Sequence, residues 1–348
     1  MAVVKKERDI LQKNKLLEKN EKEEALLAEL RSSLPRLLAG EGLAEETARR
    51  LGSLRGAAFF ELLALCRRVC KQHCGDQVAL CAITNAKSGR CPEDCAFCAQ
   101  SSSYDTGVES FPLIEVEELA ARGRIVAAMG VENFSVVTSG TAVADRKEQA
   151  AIEKMLRRIS ELGMAPCASL GFLEVETARR YRAAGLRHYH HNLETARSFF
   201  PEICSTHDYE QAVATVRIAQ EAGLYVCSGG IMGLGESWEQ RVELALTLRE
   251  LGVDSIPLNF LQPVQGTPLA DEPGLMPWQS LLTIAMFRLV CPTRDIRICG
   301  GRQQAFGDFQ GLIFAAGANG LMVGNYLTTS GRDWSADRRL LEAWVDFV

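Results

Sequence analysis

Residues 133–171 read NFSVVTSGTAVADRKEQAAIEKMLRRISELGMAPCASLG. A β-branched, apolar run from Asn133 to Thr138 gives way to an amphipathic stretch, Glu148 to Leu162, then to Gly163 and a second apolar run, Ala165 to Gly171. Strand-length run, helix-length stretch, helix-ending glycine and second run together predict a βαβ unit of a parallel sheet. The rhythm extends in both directions. Further runs lie at Val78 to Thr84, Arg187 to Leu193, Leu224 to Gly230, Ser255 to Leu261, Arg294 to Gly300 and Gly320 to Gly324. Helical stretches fit between them at Val116 to Met129, Val175 to Ala184, Asp208 to Ala222, Trp238 to Leu251, Trp278 to Leu289 and Phe306 to Ala316. Eight such repeats predict a (β/α)8 TIM barrel, whose chemistry sits at the C-terminal ends of the strands. The expected organisation is a helical extension over 1–74, the barrel over 75–330 and a tail over 331–348.

The extension holds a Glu-, Lys- and Leu-rich helix from Lys5 to Arg31 and a second helical stretch from Glu45 to Cys74. Removing the segment to about Leu30 is expected to spare the chemistry. Across 348 residues the formal charge is -5, without the basic surplus that a phosphate backbone demands, so no nucleic-acid partner is expected. No apolar run approaches membrane-spanning length and the charged start is unlike a signal peptide, so the expectation is a cytoplasmic protein with no membrane partner. A reducing compartment makes disulfides the wrong account of 12 cysteines.

Seven of those cysteines fall between Cys66 and Cys98. Cys66, Cys70 and Cys74 share one helix face and read best as small core residues. After the first strand comes KSGRCPEDCAFCAQSS, which sets Cys91, Cys95 and Cys98 in a Cys-x3-Cys-x2-Cys loop. A structural zinc site wants four protein ligands and the loop offers three, whereas three thiolates can hold three corners of a 4Fe-4S cube and leave one iron open.

At the mouth of a barrel this loop resembles that of the radical S-adenosylmethionine (SAM) superfamily. CPEDCAFCAQSS, YDTGVESFPL, HYHHNLET, VCSGGIMGLGES, QGTPLAD and FAAGANGLMVGNYLTT are more specific, and resemble the biotin synthase family over about residues 40–330. The resemblance implies an enzyme that uses a 4Fe-4S cluster and SAM to insert sulfur into dethiobiotin, working as a homodimer with flavodoxin or ferredoxin as reductant. It implies no acid-base residue, because hydrogen leaves an unactivated C-H bond through a 5′-deoxyadenosyl radical; His188, His190 and His191 then read as strand-end polar residues.

By the same resemblance Asn192 and Glu194 hold the SAM ribose, with Asn192 also reaching the substrate. Gly233, Gly235 and Glu236 form the turn against which the adenosyl group lies. Asn259 faces the ureido ring, and Thr328 and Thr329 face the substrate carboxylate. An auxiliary iron-sulfur cluster, the sulfur donor, falls to Cys167, Cys227 and Arg297 on the third, fifth and seventh runs.

The match departs at Ser135, where the family has a thiolate on the second run, at Ala212, where it often has an Arg near the SAM carboxylate, and at His190. Cys299 lies two residues beyond Arg297, on the same strand face, and restores a third thiolate to the cavity. Three thiolates favour a four-iron over a 2Fe-2S auxiliary cluster, with one iron open to external sulfide. Cys81, Cys204 and Cys291 read as structural or incidental. The rival readings are another radical SAM barrel, of the methylornithine synthase or hydrogenase-maturation kind, and an iron-sulfur carrier, which needs no SAM pocket.

Overall fold

The computed structural model describes residues 2–348, with side chains for Glu18 and for residues 20–348. Helices α1 (Ala2–Leu38), α2 (Glu45–Leu51) and α3 (Gly56–Cys74) precede the first strand. The barrel strands are β1 (Ala79–Lys87), β2 (Asn133–Thr138), β3 (Ala165–Ser169), β4 (His188–His190), β5 (Tyr225–Cys227), β6 (Gly230–Met232), β7 (Ser255–Phe260), β8 (Asp295–Ile298) and β9 (Gly320–Met322). Between them run α4 (Val116–Ala128), α5 (Arg146–Glu161), α6 (Val175–Ala183), α7 (Tyr209–Glu221), α8 (Trp238–Leu251), α9 (Pro277–Val290), α10 (Arg302–Phe306) and α11 (Leu312–Ala315). The chain ends in α12 (Trp334–Phe347).

All strand pairings are parallel, in the order β5-β4-β3-β2-β1-β9-β8-β7-β6, and Cys227 opposite Ser255 joins β5 to β7 and closes the ring. The segments β5 and β6 are one barrel strand interrupted at Ser228 and Gly229, so eight strands close the TIM barrel that the periodicity predicts. The interruption has a steric cause. A Cβ on Gly229 would lie 1.9 Å from the Pro257 carbonyl oxygen, and one on Gly230 would lie 2.3 Å from that of Glu194. Two glycines therefore let neighbouring backbones approach where the site is built.

Local chemistry sets the helix ends. The Asp145 carboxylate accepts from the Lys147 and Glu148 amides at the start of α5, and Ser237 and Gln240 form a capping box on α8. In α5, Ile152, Met155, Leu156 and Ile159 are buried at helical spacing against the sheet. Two expected helices are broken. The stretch from Glu45 to Cys74 divides at Gly52, over which the Trp238 ring packs while its Nε1 donates to the Ala48 carbonyl at 3.2 Å. The stretch from Phe306 to Ala316 becomes a 3-10 turn (Gly307–Phe309) followed by the short α11.

In α1, Leu26, Leu27, Leu30, Leu34 and Leu37 are buried in the main core, with α3 packed alongside. Deletion to Leu30 would strip core leucines from the barrel's neighbour, so the expected sparing of the chemistry comes with a loss of stability. Leu30→Ala should lower unfolding stability by about 3 kcal/mol, the usual cost of emptying a buried leucine site. Denaturant unfolding read by circular dichroism measures it, and a loss below about 1 kcal/mol would show that α1 is only loosely held. At the other end, α12 is anchored by Trp344 against Phe314 and by a fully buried ion pair between Asp337 and Arg302.

Among the described residues no helix is long and apolar enough to cross a membrane. Cys66 and Cys70 are buried on α3, with Cys66 Sγ 3.6 Å from the Ala285 carbonyl of α9, as befits core residues.

Candidate functional site

The cysteine loop leaves β1 and folds back on itself. The Cys91 amide donates to the Gln100 carbonyl at 3.0 Å, the Ser102 amide to Cys91 at 2.7 Å and the Cys98 amide to Cys95 at 2.9 Å. Arg90 takes the left-handed backbone conformation, with φ 54°, to turn the chain into the loop. Cys91, Cys95 and Cys98 all face one cavity of about 210 Å³, together with Asn192, Glu194, Ala212 and His207. Burial first, then the neighbouring Cys91 and Glu194, pushes the Cys98 thiol up to about 11; burial does the same to Cys95. Such thiols gain most from a metal that takes the thiolate charge, so the loop suits a cluster with three protein ligands.

Asn192 and Glu194 meet across this cavity, the Asn192 Nδ2 donating to Glu194 Oε2 at 3.1 Å. Both residues lie beyond the end of β4 at His190, so a turn and not the strand brings them together. Glu194 is the centre of a γ-turn, with φ 64° and the Thr195 amide donating to the Leu193 carbonyl at 2.8 Å. That turn is strained for a non-glycine residue. It is held by the Ile231 amide on the Glu194 carbonyl at 2.8 Å and by the Gly229 amide on Asn192 Oδ1 at 3.1 Å.

Burial pushes the Glu194 carboxyl up to about 7, against the opposing hydrogen bond from Asn192. In the folded chain this group holds a proton that the unfolded chain releases nearer pH 4.5, so stability falls as pH rises from about 4.5 to 7 and stays lower above. Glu194→Gln removes that loss. At pH 8 the SAM-free variant should be roughly 2 kcal/mol more stable than the parent, after discounting for partial exposure, and nearly equal to it at pH 4.5. Urea unfolding at the two pH values measures this, and a gap that does not change with pH would rule it out.

A second cavity, of about 100 Å³, lies inside the barrel and is lined by Cys81, Ser135, Cys167, His188, His190, Cys227, Asn259, Arg297 and Cys299 among others. The structure thus brings the three expected thiols and Arg297 together. It also adds Cys81, which the sequence offers only as an incidental thiol. Its Sγ lies 3.8 Å from the Leu321 carbonyl, and the neighbouring Cys299 thiol, outweighing burial, lowers the Cys81 pKa with help from Arg297. Cys299 is correspondingly raised. Arg297 is held in place by Ser255 Oγ at 3.1 Å and Asp295 Oδ2 at 3.4 Å. Four thiols and one guanidinium around one cavity are a donor set for an iron-sulfur cluster.

Asn259 borders the same cavity, its Oδ1 accepting from the Gly300 amide at 2.9 Å and its Nδ2 donating to the Gly230 carbonyl at 3.4 Å. Burial holds His188 and His190 down at about 4 and His191 at about 3, so all three are neutral. Thr328 and Thr329 line a wider cavity at the barrel mouth, about 820 Å³, with Asn85, Arg122 and Tyr326. Asn85 donates to the Leu327 carbonyl at 3.1 Å and leaves its buried Oδ1 unpartnered, a polar atom for which the sequence carried no signal.

Gly233, Gly235 and Glu236 are placed otherwise. The Glu236 carboxylate accepts from the Gly233 and Leu234 amides at 2.8 and 2.6 Å and from Arg241 Nε at 2.6 Å, bracing the turn from within. None of the three is among the residues lining the cavity of Asn192 and Glu194.

Residues 86–248 match the model of the radical SAM superfamily, and residues 257–344 that of the biotin and thiamin synthesis associated domain. The chain is 50% identical over 307 residues to the biotin synthase of Geobacter metallireducens, covering 88% of this chain and 93% of that protein. It is 52% identical to that of Trichlorobacter lovleyi, covering 88% and 92%. Among solved structures, methylornithine synthase superposes with a TM-score of 0.77 at 19% identity, over 90% of this chain and 98% of that one. The FeFe-hydrogenase maturase of Carboxydothermus hydrogenoformans gives 0.76 at 14%, over 97% and 82%. At these identities the two structures speak for the barrel alone.

Proposed function

The chain belongs to the biotin synthase family, and from that premise we propose that it inserts sulfur between two unactivated carbons of dethiobiotin to form biotin. The observation that carries the reading is the pair of cavities, one with three loop thiols beside Asn192 and Glu194, the other with four thiols inside the barrel. When bound, the radical cluster supplies the electron that cleaves SAM to a hydrogen-abstracting 5′-deoxyadenosyl radical, and the auxiliary cluster supplies the sulfur.

The residues of the chain then bind and orient. Cys91, Cys95 and Cys98 would hold the radical cluster, while Glu194, its carboxylate favoured by the hydroxyls that donate to it, accepts from the ribose with Asn192 beside it. Gly233, Gly235 and Glu236 act on SAM through the turn they stiffen. Thr328 and Thr329 donate to the substrate carboxylate at the mouth, and Asn259 offers its amide to the ureido ring. Cys81, Cys167, Cys227 and Cys299 hold the auxiliary cluster, with Arg297 as the neighbouring cation. Ser135 is a poor iron ligand and Arg297 is bonded to Ser255 and Asp295, which supports a cluster held by thiolates alone over one with Arg among its ligands, and four irons are the form we favour for it.

With all 12 cysteines unpaired in the structure, a reducing cytoplasm suits the chain, and membership of the family is what supports a flavodoxin or ferredoxin reductant and a homodimeric assembly. Anaerobically reconstituted protein given SAM, reductant and dethiobiotin should yield 5′-deoxyadenosine and biotin by mass spectrometry. SAM cleavage that dethiobiotin does not stimulate, with no biotin, would count against the reading and favour the rival barrel chemistries. No SAM cleavage at all, with labile clusters passed to an acceptor, would favour a carrier.

A further inference from the structure

Beside the cysteine loop, a segment far away in the chain brings two more donors to Cys95. Cys204 Sγ lies 3.8 Å from Cys95 Sγ, and His207 Nδ1 lies 3.2 Å from Cys204 Sγ. The ligand atoms of Cys95, Cys204 and His207 all fall within 4.8 Å of one another, close enough for a single ion. The segment is stapled to the loop. The Ala96 amide donates to the Ile203 carbonyl at 2.9 Å, the Ser205 amide to Asp94 Oδ1 at 2.9 Å and the Asp94 amide to Thr206 Oγ1 at 3.1 Å. The His207 ring is fixed edge-on to Phe172 and Phe200, and its Nδ1 lies 2.7 Å from Glu93 Oε2. Cys204 is buried, with Asp94 Oδ1 3.1 Å from its Sγ.

None of this is needed to hold a cube on Cys91, Cys95 and Cys98. Two thiols, an imidazole and two adjacent carboxylates are instead the donor chemistry of a mononuclear, four-coordinate site. We propose that in the cluster-free chain Cys95, Cys204 and His207 bind one divalent transition-metal ion, ferrous iron or zinc, in a site that excludes the radical cluster because Cys95 belongs to both. The ion displaces the Cys95 and Cys204 thiol protons to solvent, the two thiolates offset its charge, and a carboxylate of Glu93 or Asp94, both adjacent, or a water fills the fourth position. With iron the site is an entry point for cluster assembly; with zinc it is a block. Exclusion, though not the binding itself, rests on the assignment of Cys95 to the radical cluster.

The test uses the full-length chain stripped of clusters under anaerobic conditions, with Cys91→Ala and Cys98→Ala present so that the loop cannot itself bind metal and Cys167→Ala and Cys227→Ala present to halve the thiol set of the barrel cavity. Zinc titrated against a chromophoric chelator should show a site that weakens about tenfold or more on adding Cys204→Ala or His207→Gln. Zinc K-edge absorption of this parent variant at one equivalent of zinc should show two sulfurs and an imidazole, and the imidazole should be lost in His207→Gln. A shell without imidazole, or affinities unchanged within twofold, overturns the proposal whether or not the further variants fold well. In the unsubstituted chain, one equivalent of zinc should slow radical-cluster reconstitution, whereas one equivalent of iron-57 should appear in the cluster by Mössbauer spectroscopy, and both effects should vanish in Cys204→Ala. Iron-57 left outside the cluster with zinc inhibition intact assigns the site to zinc alone. Zinc bound on two sulfurs and an imidazole without slowing reconstitution would remove Cys95 from the cluster and overturn the exclusion.

Discussion

Replacing Cys91, Cys95 or Cys98 by Ala should abolish reductant-dependent 5′-deoxyadenosine formation while the barrel stays folded. Each change removes one of three protein ligands, and the loss should exceed the roughly 10- to 100-fold that follows removal of a residue merely supporting a ligand. Folding is spared because only Cys95 of the three packs, half-buried, against the main core, and the loop's turns are made by backbone bonds, such as Cys91 to Gln100, that a Cys to Ala change leaves in place. Full retention of the product in any one variant would reject that cysteine as a ligand. Within the set, Cys95→Ala should also remove the mononuclear site shared with Cys204 and His207, which Cys91→Ala and Cys98→Ala should leave.

The second large effect is expected inside the barrel. Cys299→Ala and Cys81→Ala should each lose biotin formation and the auxiliary cluster, yet continue to cleave SAM. The two thiols line the same cavity as Cys167 and Cys227, so removal of either leaves an incomplete donor set around the space a cluster would fill. Iron and sulfide analysis with Mössbauer spectra reads the outcome. The unsubstituted chain should hold about eight irons as two four-iron clusters, and the variants about four; about six in the parent would mean the two-iron form. Normal biotin yield in Cys299→Ala would make that residue a bystander, and the same result in Cys81→Ala would return the ligand set to three thiolates with one iron open to external sulfide.

Which parts of this site could be read in the sequence follows from how each is made. The loop Cys91 to Cys98 is local, so its spacing alone announces a cluster. Cys167, Cys227 and Arg297 follow from family resemblance, and Cys299 from alternation along a strand. Cys81 carried no such mark, because its partner Cys299 stands near the far end of the chain and the two meet only across the closed barrel.

The sequence by itself determined the repeating strand and helix units, most helix ends and the cysteine loop. All of these depend on side chains within a few turns of one another, through apolar periodicity, capping groups and glycines. Only the tertiary structure decided the rest. Barrel closure joins Cys227 to Ser255 and gathers four thiols from separate strands, and the packing of the 203–207 segment sets Cys204 109 residues from Cys95 in sequence but 3.8 Å away in space. The left-handed turn at Glu194 and the break between β5 and β6 belong to the same class. Each exists because a backbone from elsewhere in the barrel comes too close for a side chain or supplies a hydrogen bond, and no local pattern of residues encodes that approach.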